Sequence, residues 1–322
     1  MPEHSGLDAS ERALLTAEVR RAMSERTGHA LDTALTELGW PEILAAAPEL
    51  TGPVLFRLLG ETGAHAPLLL DVLERASADA PPVLAVRERA RTDSPLVLDV
   101  IERAGTGAPT VLDHAGADAS VLPFAGGRWV RWERTGSTTD SLPPQGDSVD
   151  PDLPLYRASA GITPAAYPLA EGRRVLAWWL LGTGHAMLAL ARTHALERAQ
   201  FGRPLASFQA VRHRLAETLV ALDGAEAALI IADEVALDPT RAAHHATAAL
   251  LAKAAAGRAG LTAARHCQQV LGGIGFTAEH AMHRHLRRVL ILDGLLGSTR
   301  ELTQLAGATI RRSGTAIRIA HL

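Results

Sequence analysis

Three long apolar-periodic runs, the first and the third each ending in a glycine-bearing corner, dominate the second half of this 322-residue chain. Leu, Val, Ala and Ile recur there at three- and four-residue spacings. The pattern predicts helices over 168–200, 205–236 and 240–270, then two shorter ones over 277–291 and 297–315. Pro164 and Pro168 mark the entry. A helix of about 33 residues is roughly 50 Å long. Rods of that length cover their apolar faces only against one another, so the expected solution is an antiparallel bundle.

The corners carry the unusual chemistry. The first lies in "ERAQFGRPLASFQAVRHRLAE" (197–217), where Gly202 and Pro204 interrupt the chain and Ser207 is placed to cap the next helix. Arg198 and Gln200 stand there beside the aromatic Phe201. A guanidinium at such a corner can fork onto a phosphate or a carboxylate; it can also simply answer the negative end of a helix. The second corner is "QQVLGGIGF" (268–276). A Gly-rich turn of this kind commonly cradles phosphate after a β-strand, yet no strand precedes it. Glycines let backbone N–H groups approach an anion closely. The turn is expected to open onto the N-terminus of the following helix, whose dipole favours negative charge.

Upstream, residues 8–104 read as short helices broken by Gly and Pro. "APLLLDVLERA" (66–76) and "SPLVLDVIERA" (94–104) nearly repeat, but two copies are too few for a solenoid. Residues 105–165 change character, with β-like runs at "PTVLDHA", "ASVLPFA" and "GRWVRWE" and a loop over 136–154. Expected domains are therefore 1–104 (helical), 105–165 (a reduced β domain) and 166–322 (helical bundle).

"ERxQFGRPxxxFQ" followed two helices later by "QxxGGxGF" resembles the C-terminal helical domain of the acyl-CoA dehydrogenases, from about Glu171 to Arg312. A fainter echo of that family's N-terminal helical domain covers 34–73. The resemblance implies a mainly α fold: an N-terminal helical domain, a middle β domain that is small here, and a C-terminal four-helix bundle. It also implies FAD as cofactor, held between subunits. The residues that reach across to the neighbour's pyrophosphate and adenosine would be Arg198, Gln200, Phe201, Gln209, Gln269, Gly272 and Gly273.

The same resemblance shows what is missing. The family removes the α-proton of an acyl-CoA with a carboxylate while a hydride leaves Cβ for the flavin. Where many members carry that Glu in an "EGT" loop, this chain reads "LDGLLGST" (292–299), with Leu296 at the base position. Where other members carry it, at the start of the first bundle helix, stands Gly172. Glu171 is one residue away, and a one-residue step rotates a helical side chain by about 100°. Asp293 is a loop carboxylate. The flavin-facing "TEPxAGSD" stretch has no counterpart in 105–165. No catalytic residue is assigned to this chain.

The retained half-site is the one that serves a neighbour. The expectation is thus a subunit like the small one of actinobacterial two-gene acyl-CoA dehydrogenases, which form α2β2 assemblies in sterol breakdown. It would complete the FAD site of a paralogous catalytic subunit that acts on an acyl-CoA and passes electrons to an acceptor. The alternatives are a self-sufficient homomer with Glu171 as base and a flavin-free structural or binding protein on the same fold.

Composition sets the outer limits. A net charge of −3 with no Lys/Arg stripe interleaved with aromatics argues against nucleic acid. Cys267 is the only cysteine, which excludes a disulfide framework and suits a reducing cytoplasm. The N-terminal "MPEHSGLDASERALL" lacks a basic and an apolar region, and no apolar run has the ~18 residues of a membrane span. The histidines of "EHAMHRHLRR" (279–288) do not share one helix face, so no metal site is expected and a solvated face is. Trp178 and Trp179 are expected to pack inside the bundle. Thirty-two residues are Lys or Arg, and Lys253 is the sole lysine, as a GC-rich coding bias would give.

Overall fold

The computed structural model describes residues 8–47, 50–78, 119–133, 150, 152–153, 155–157 and 168–314. The second copy of the near-repeat, the "PTVLDHA" run and most of the 136–154 loop lie outside them. Helices α1 (Ala9–Glu25), α2 (Gly28–Glu37) and α3 (Trp40–Ala46) lead to a π-helical turn, Thr51–Phe56. That turn runs straight into α4 (Arg57–Thr62), and α5 (Leu68–Ala78) follows. A capping box starts α1: the Asp8 carboxylate accepts from Ser10 and Glu11 N–H while Glu11 accepts from Asp8 N–H.

Three antiparallel strands, β1 (Ala119–Phe124), β2 (Arg128–Glu133) and β3 (Leu155–Arg157), form one sheet in the order β1-β2-β3. The first two are the expected "ASVLPFA" and "GRWVRWE" runs; β3 was not legible. Its register sets Trp132 opposite Leu155, both buried.

The bundle consists of α6 (Leu169–Glu197), α7 (Gln209–Leu237), α8 (Ala242–Leu271), α9 (Met282–Gly294) and α10 (Thr299–Ser313). These match the helices expected from periodicity to within a few residues. The start of α6 is buried on every side from Gly172 to Gly184, because the N-terminal helices cover one flank and α8 the other. Glycines permit the contact with α4: a Cβ on Gly60 would lie 2.4 Å from the Trp179 carbonyl oxygen, and one on Gly182 2.1 Å from that of Arg57. On α8, alanines such as Ala252, Ala256, Ala259 and Ala263 play the same part by keeping the helix surface low.

Trp178 and Trp179 are buried as expected. The Trp178 indole N–H donates to Asp233 at 2.9 Å, and Trp179 packs against Phe56 and Trp132. The 279–288 segment departs from expectation. His285 and Arg288 lie inside the protein, not on a solvated face. Arg288 pairs with the fully buried Asp150 at 2.5 Å, donates to the Ala64 carbonyl at 2.9 Å, and stacks over Trp179. Tertiary partners thus pull a polar-looking helix face inward. No described helix is long and apolar enough to cross a membrane.

Candidate functional site

Helix α6 ends where the Arg198 N–H donates to the His194 carbonyl and Arg198 turns extended. Two short strands, Ala199–Gln200 and Arg203–Pro204, then pair around Phe201 and Gly202. Both tip residues have positive φ, 53° and 77°, as a two-residue hairpin of the mirror-image turn types requires. The Leu205 N–H closes the loop onto the Arg198 carbonyl at 2.8 Å. Phe208 packs edge-on to Phe201 and lies under the Arg203 guanidinium. Ser207 is not the cap of α7: its hydroxyl turns back to the Pro204 carbonyl at 2.7 Å, and Phe208 occupies the cap position.

At the far corner α8 stops because Gly272 takes φ 63°, ψ −139°, outside the helical well. Gly272–Phe276 form a 3-10 turn, and α9 starts only at Met282. The "QQVLGGIGF" turn therefore finishes a helix and does not open one, contrary to expectation. The chain needs the residues between Phe276 and Met282 to reverse direction before α9 can begin. The helix start at this site is that of α7 instead. No side chain caps it; the Phe208 and Val211 N–H groups donate to the Leu205 and Phe208 carbonyls, which leaves those of Gln209 and Ala210 for the cleft.

Between the corners opens a cleft of about 660 Å³. Its walls include His194, Arg198 and Gln200 from the first corner, Ala210, Val211 and Arg214 from α7, and Gln269, Gly272 and Gly273 from the second. Five of the seven motif residues thus meet in one cleft. Of the other two, Phe201 stands 90% exposed at the hairpin tip, and Gln209 is the first residue of α7, its amide 3.4 Å from His213. Neither His194 nor Arg214 was singled out from sequence; only their helical spacing from the corners could have signalled them.

The walls hold two arginines, a histidine and two amides but no carboxylate. A Cβ on Gly272 or Gly273 would meet nothing within 4 Å, so the turn's backbone faces open space. The positive end of the α7 dipole adds to the field. Such a donor set fits a diphosphate: forked cations, open backbone and a helix start. The residues present therefore fit a diphosphate such as the pyrophosphate of FAD.

The proton-abstracting half of the family site looks different. Leu296 is fully buried with φ 55°. A Cβ on Gly172 would lie 2.6 Å from Leu296 Cδ1 and 2.9 Å from Leu73 Cδ2. The loop holding Leu296 is braced from all sides. Its N–H donates to Pro123 O at 3.0 Å, its carbonyl accepts from Arg173 Nε at 3.1 Å, and Lys253 donates to the Asp293 and Gly297 carbonyls. Asp293 accepts from Thr299 N–H and hydroxyl. Glu171 lies 2.8 Å from Arg174 and 3.0 Å from His245. Burial would raise its pKa, but the His245 hydrogen bond and the Arg174 guanidinium outweigh burial and hold it at about 2. A carboxylate so stabilised is a poor proton acceptor.

Residues 159–308 match the family model described as acyl-CoA dehydrogenase, C-terminal domain. Two Mycobacterium tuberculosis relatives align: acyl-CoA dehydrogenase FadE34, 36% identical over 180 residues, and acyl-CoA dehydrogenase IpdE2, 34% over 187. The matches take in 51% and 56% of this chain but span only 25% and 54% of those proteins. Among solved structures, a chain of the Tcur3481-Tcur3483 steroid acyl-CoA dehydrogenase superposes with TM-score 0.63 at 21% identity, covering 95% of this chain and 99% of that one. A chain of the ChsE4-ChsE5 complex from Mycobacterium tuberculosis gives 0.59 at 18%, covering 98% and 100%. Both share the fold from end to end. Residues 159–308 are thus similar in sequence to the acyl-CoA dehydrogenase C-terminal domain, and the chain shares the fold of acyl-CoA dehydrogenase chains over almost its whole length.

Proposed function

We propose that this chain, in three parts over 1–104, 105–165 and 166–322, completes the FAD site of a paralogous catalytic subunit in an α2β2 acyl-CoA dehydrogenase. Bound FAD supplies the hydride acceptor for α,β-dehydrogenation of an acyl-CoA thioester. This chain's own residues bind and orient. Arg198 and the open backbone of Gly272 and Gly273 hold the pyrophosphate, Gln269 donates beside them, and Gln200, Phe201 and Gln209 shape the adenosine side.

One observation carries the reading. The cleft that serves a neighbour is open and cationic, whereas the two family base positions, Gly172 and Leu296, close on each other in an apolar plug. The pairing of subunits in the Tcur3481-Tcur3483 and ChsE4-ChsE5 proteins supports a heteromer, because this chain matches one chain of each over almost its full length. The word steroid in the name of the first supports a bulky, ring-bearing acyl group as the substrate class. Glu171 as base of a self-sufficient enzyme gains no support from its ion pairs.

The experiment is expression of the full chain alone and with a co-encoded full-length paralogue, followed by visible spectra and native mass. Flavin colour should appear only on co-expression, in a particle containing both chains, and Arg198→Gln should deplete it. A homomer that carries stoichiometric flavin and oxidises a thioester unaided would overturn the reading.

A further inference from the structure

Two of the three cations in the cleft belong to neither of its motif corners' expected ligands. His194 sits one turn before Arg198 on the same face of α6, and Arg214 projects from the second turn of α7 across the cleft. A pyrophosphate diester carries two negative charges, and Arg198 neutralises one. The chemistry of the remaining walls is neutral: amides from Gln200 and Gln269, backbone at Gly272 and Gly273, and apolar side chains.

We propose that His194 and Arg214 bind the diphosphate together with Arg198, His194 as the imidazolium, so that capture of the dinucleotide by this chain takes up one proton from solvent. The inference rests on the reading of the cleft as a pyrophosphate site and adds two ligands and a coupled proton to it.

The surroundings of His194 explain the proton. Burial, then the neighbouring His280 and Arg198, depress its pKa, against the weaker attraction of Glu197. Those three, with Arg214 on α7, are the charged or titratable groups set around it; α8 contributes only the amide of Gln269 and uncharged groups to the cleft. In the free chain His194 is therefore largely neutral at neutral pH. A diphosphate placed among these cations reverses the local sign and favours the protonated ring. Binding must then strengthen as pH falls.

The test titrates the full chain with ADP-ribose by calorimetry at pH 6 and pH 8, in two buffers of different ionisation enthalpy. Each phosphate of ADP-ribose carries one sugar ester and the shared anhydride, so neither has the second ionisation near pH 6 of a terminal phosphate, and any proton taken up belongs to the protein. Affinity should be several-fold tighter at pH 6 than at pH 8, about tenfold being the ceiling for each unit by which binding raises the His194 pKa. His194→Gln should bind with the same affinity at both pH values and take up no proton. Arg214→Gln should weaken binding equally at both. Melting temperatures of both variants should stay at the parent value, which separates lost binding from lost folding. Parent-chain binding that is independent of pH and buffer overturns the proton-coupled ligand and leaves the diphosphate reading standing. Absence of ADP-ribose binding up to millimolar concentration, by the chain alone and by the flavin-stripped co-expressed complex, overturns both.

Discussion

Gly172 and Leu296 touch. They come from helix α6 and from the turn after α9, more than a hundred residues apart in sequence, and a methyl group on Gly172 would sit 2.6 Å from the Leu296 side chain. Each marks a place where family members keep a carboxylate. Here the pair, with Leu73, forms an apolar seal, and a positive φ at Leu296 shows how firmly the surrounding hydrogen bonds impose the turn.

The seal predicts a coupled mutant series. Gly172→Ala adds a methyl where none fits and should destabilise by about 1–3 kcal/mol, despite alanine's better helix propensity. Leu296→Ala empties a fully buried site and should cost about 2–5 kcal/mol. The double variant should be more stable than the sum of the two predicts, since the added methyl occupies the vacated space. Denaturant melts of the four proteins measure this; strict additivity would mean the side chains do not share one space.

At the cleft the opposite result is expected. Gly273 has no positive φ and open space where a Cβ would go. Gly273→Val should leave the melting temperature within the range of ordinary surface changes, about 0.5 kcal/mol. It should nonetheless weaken ADP-ribose binding at least tenfold, because the valine fills the approach of the phosphate to the backbone. Unchanged binding would remove the turn from the site.

Buried histidines predict acid sensitivity. Burial, then Arg288, lowers His65 to a pKa of about 4; burial, then Arg284 and Arg288, lowers His285 to about 4. The unfolded chain protonates both near 6.5, so between pH 6.5 and 4 it binds protons that the fold refuses. The penalty from these two rings should be absent above pH 6.5, and stability should fall steadily as pH drops from there toward 4. Glu171 extends the loss: its ion pairs stabilise above pH 4.5 and fade toward 2. Thermal melts at half-unit pH steps report the slope, and His285→Gln should flatten it between 6.5 and 4. A melting temperature constant from pH 7 to 4.5 would contradict the burial of these rings.

Lys253 predicts the reverse end of the pH scale. Its amine is buried, donates 2.7 Å to the Gly297 and 3.0 Å to the Asp293 carbonyl, and is lowered to a pKa of about 7 by burial first and Arg173 next, against the pull of Asp293. Unfolded lysine holds its proton to about 10.5, so stability should rise from pH 7 toward 9. Lys253→Met strands two carbonyls and should cost about 1–3 kcal/mol for each while abolishing that rise. The site also gives this residue a physical reason to be lysine in a chain whose other long basic side chains are all arginine: a compact ammonium fits between two carbonyls where a planar fork does not.

Much of this was legible in one dimension. Apolar periodicity placed α6 to α10, because a long helix writes its buried stripe into residue order. The resemblance of the two corners to the acyl-CoA dehydrogenase C-terminal domain named Arg198, Gln200, Gln269, Gly272 and Gly273; residue type alone left Arg198 equally suited to the negative end of a helix. Sequence also marked Leu296 and Gly172 as positions without a carboxylate.

Only the three-dimensional fold decided what those residues meet. That Gly172 faces Leu296, that His194 and Arg214 complete the cleft, that Arg288 turns inward to Asp150, and that the helix start at the site belongs to α7 all depend on contacts between segments far apart in the chain. Local propensity fixes how a segment coils; which groups share a low-dielectric space, and hence which charges are neutralised and which glycines are required, is set by packing between segments.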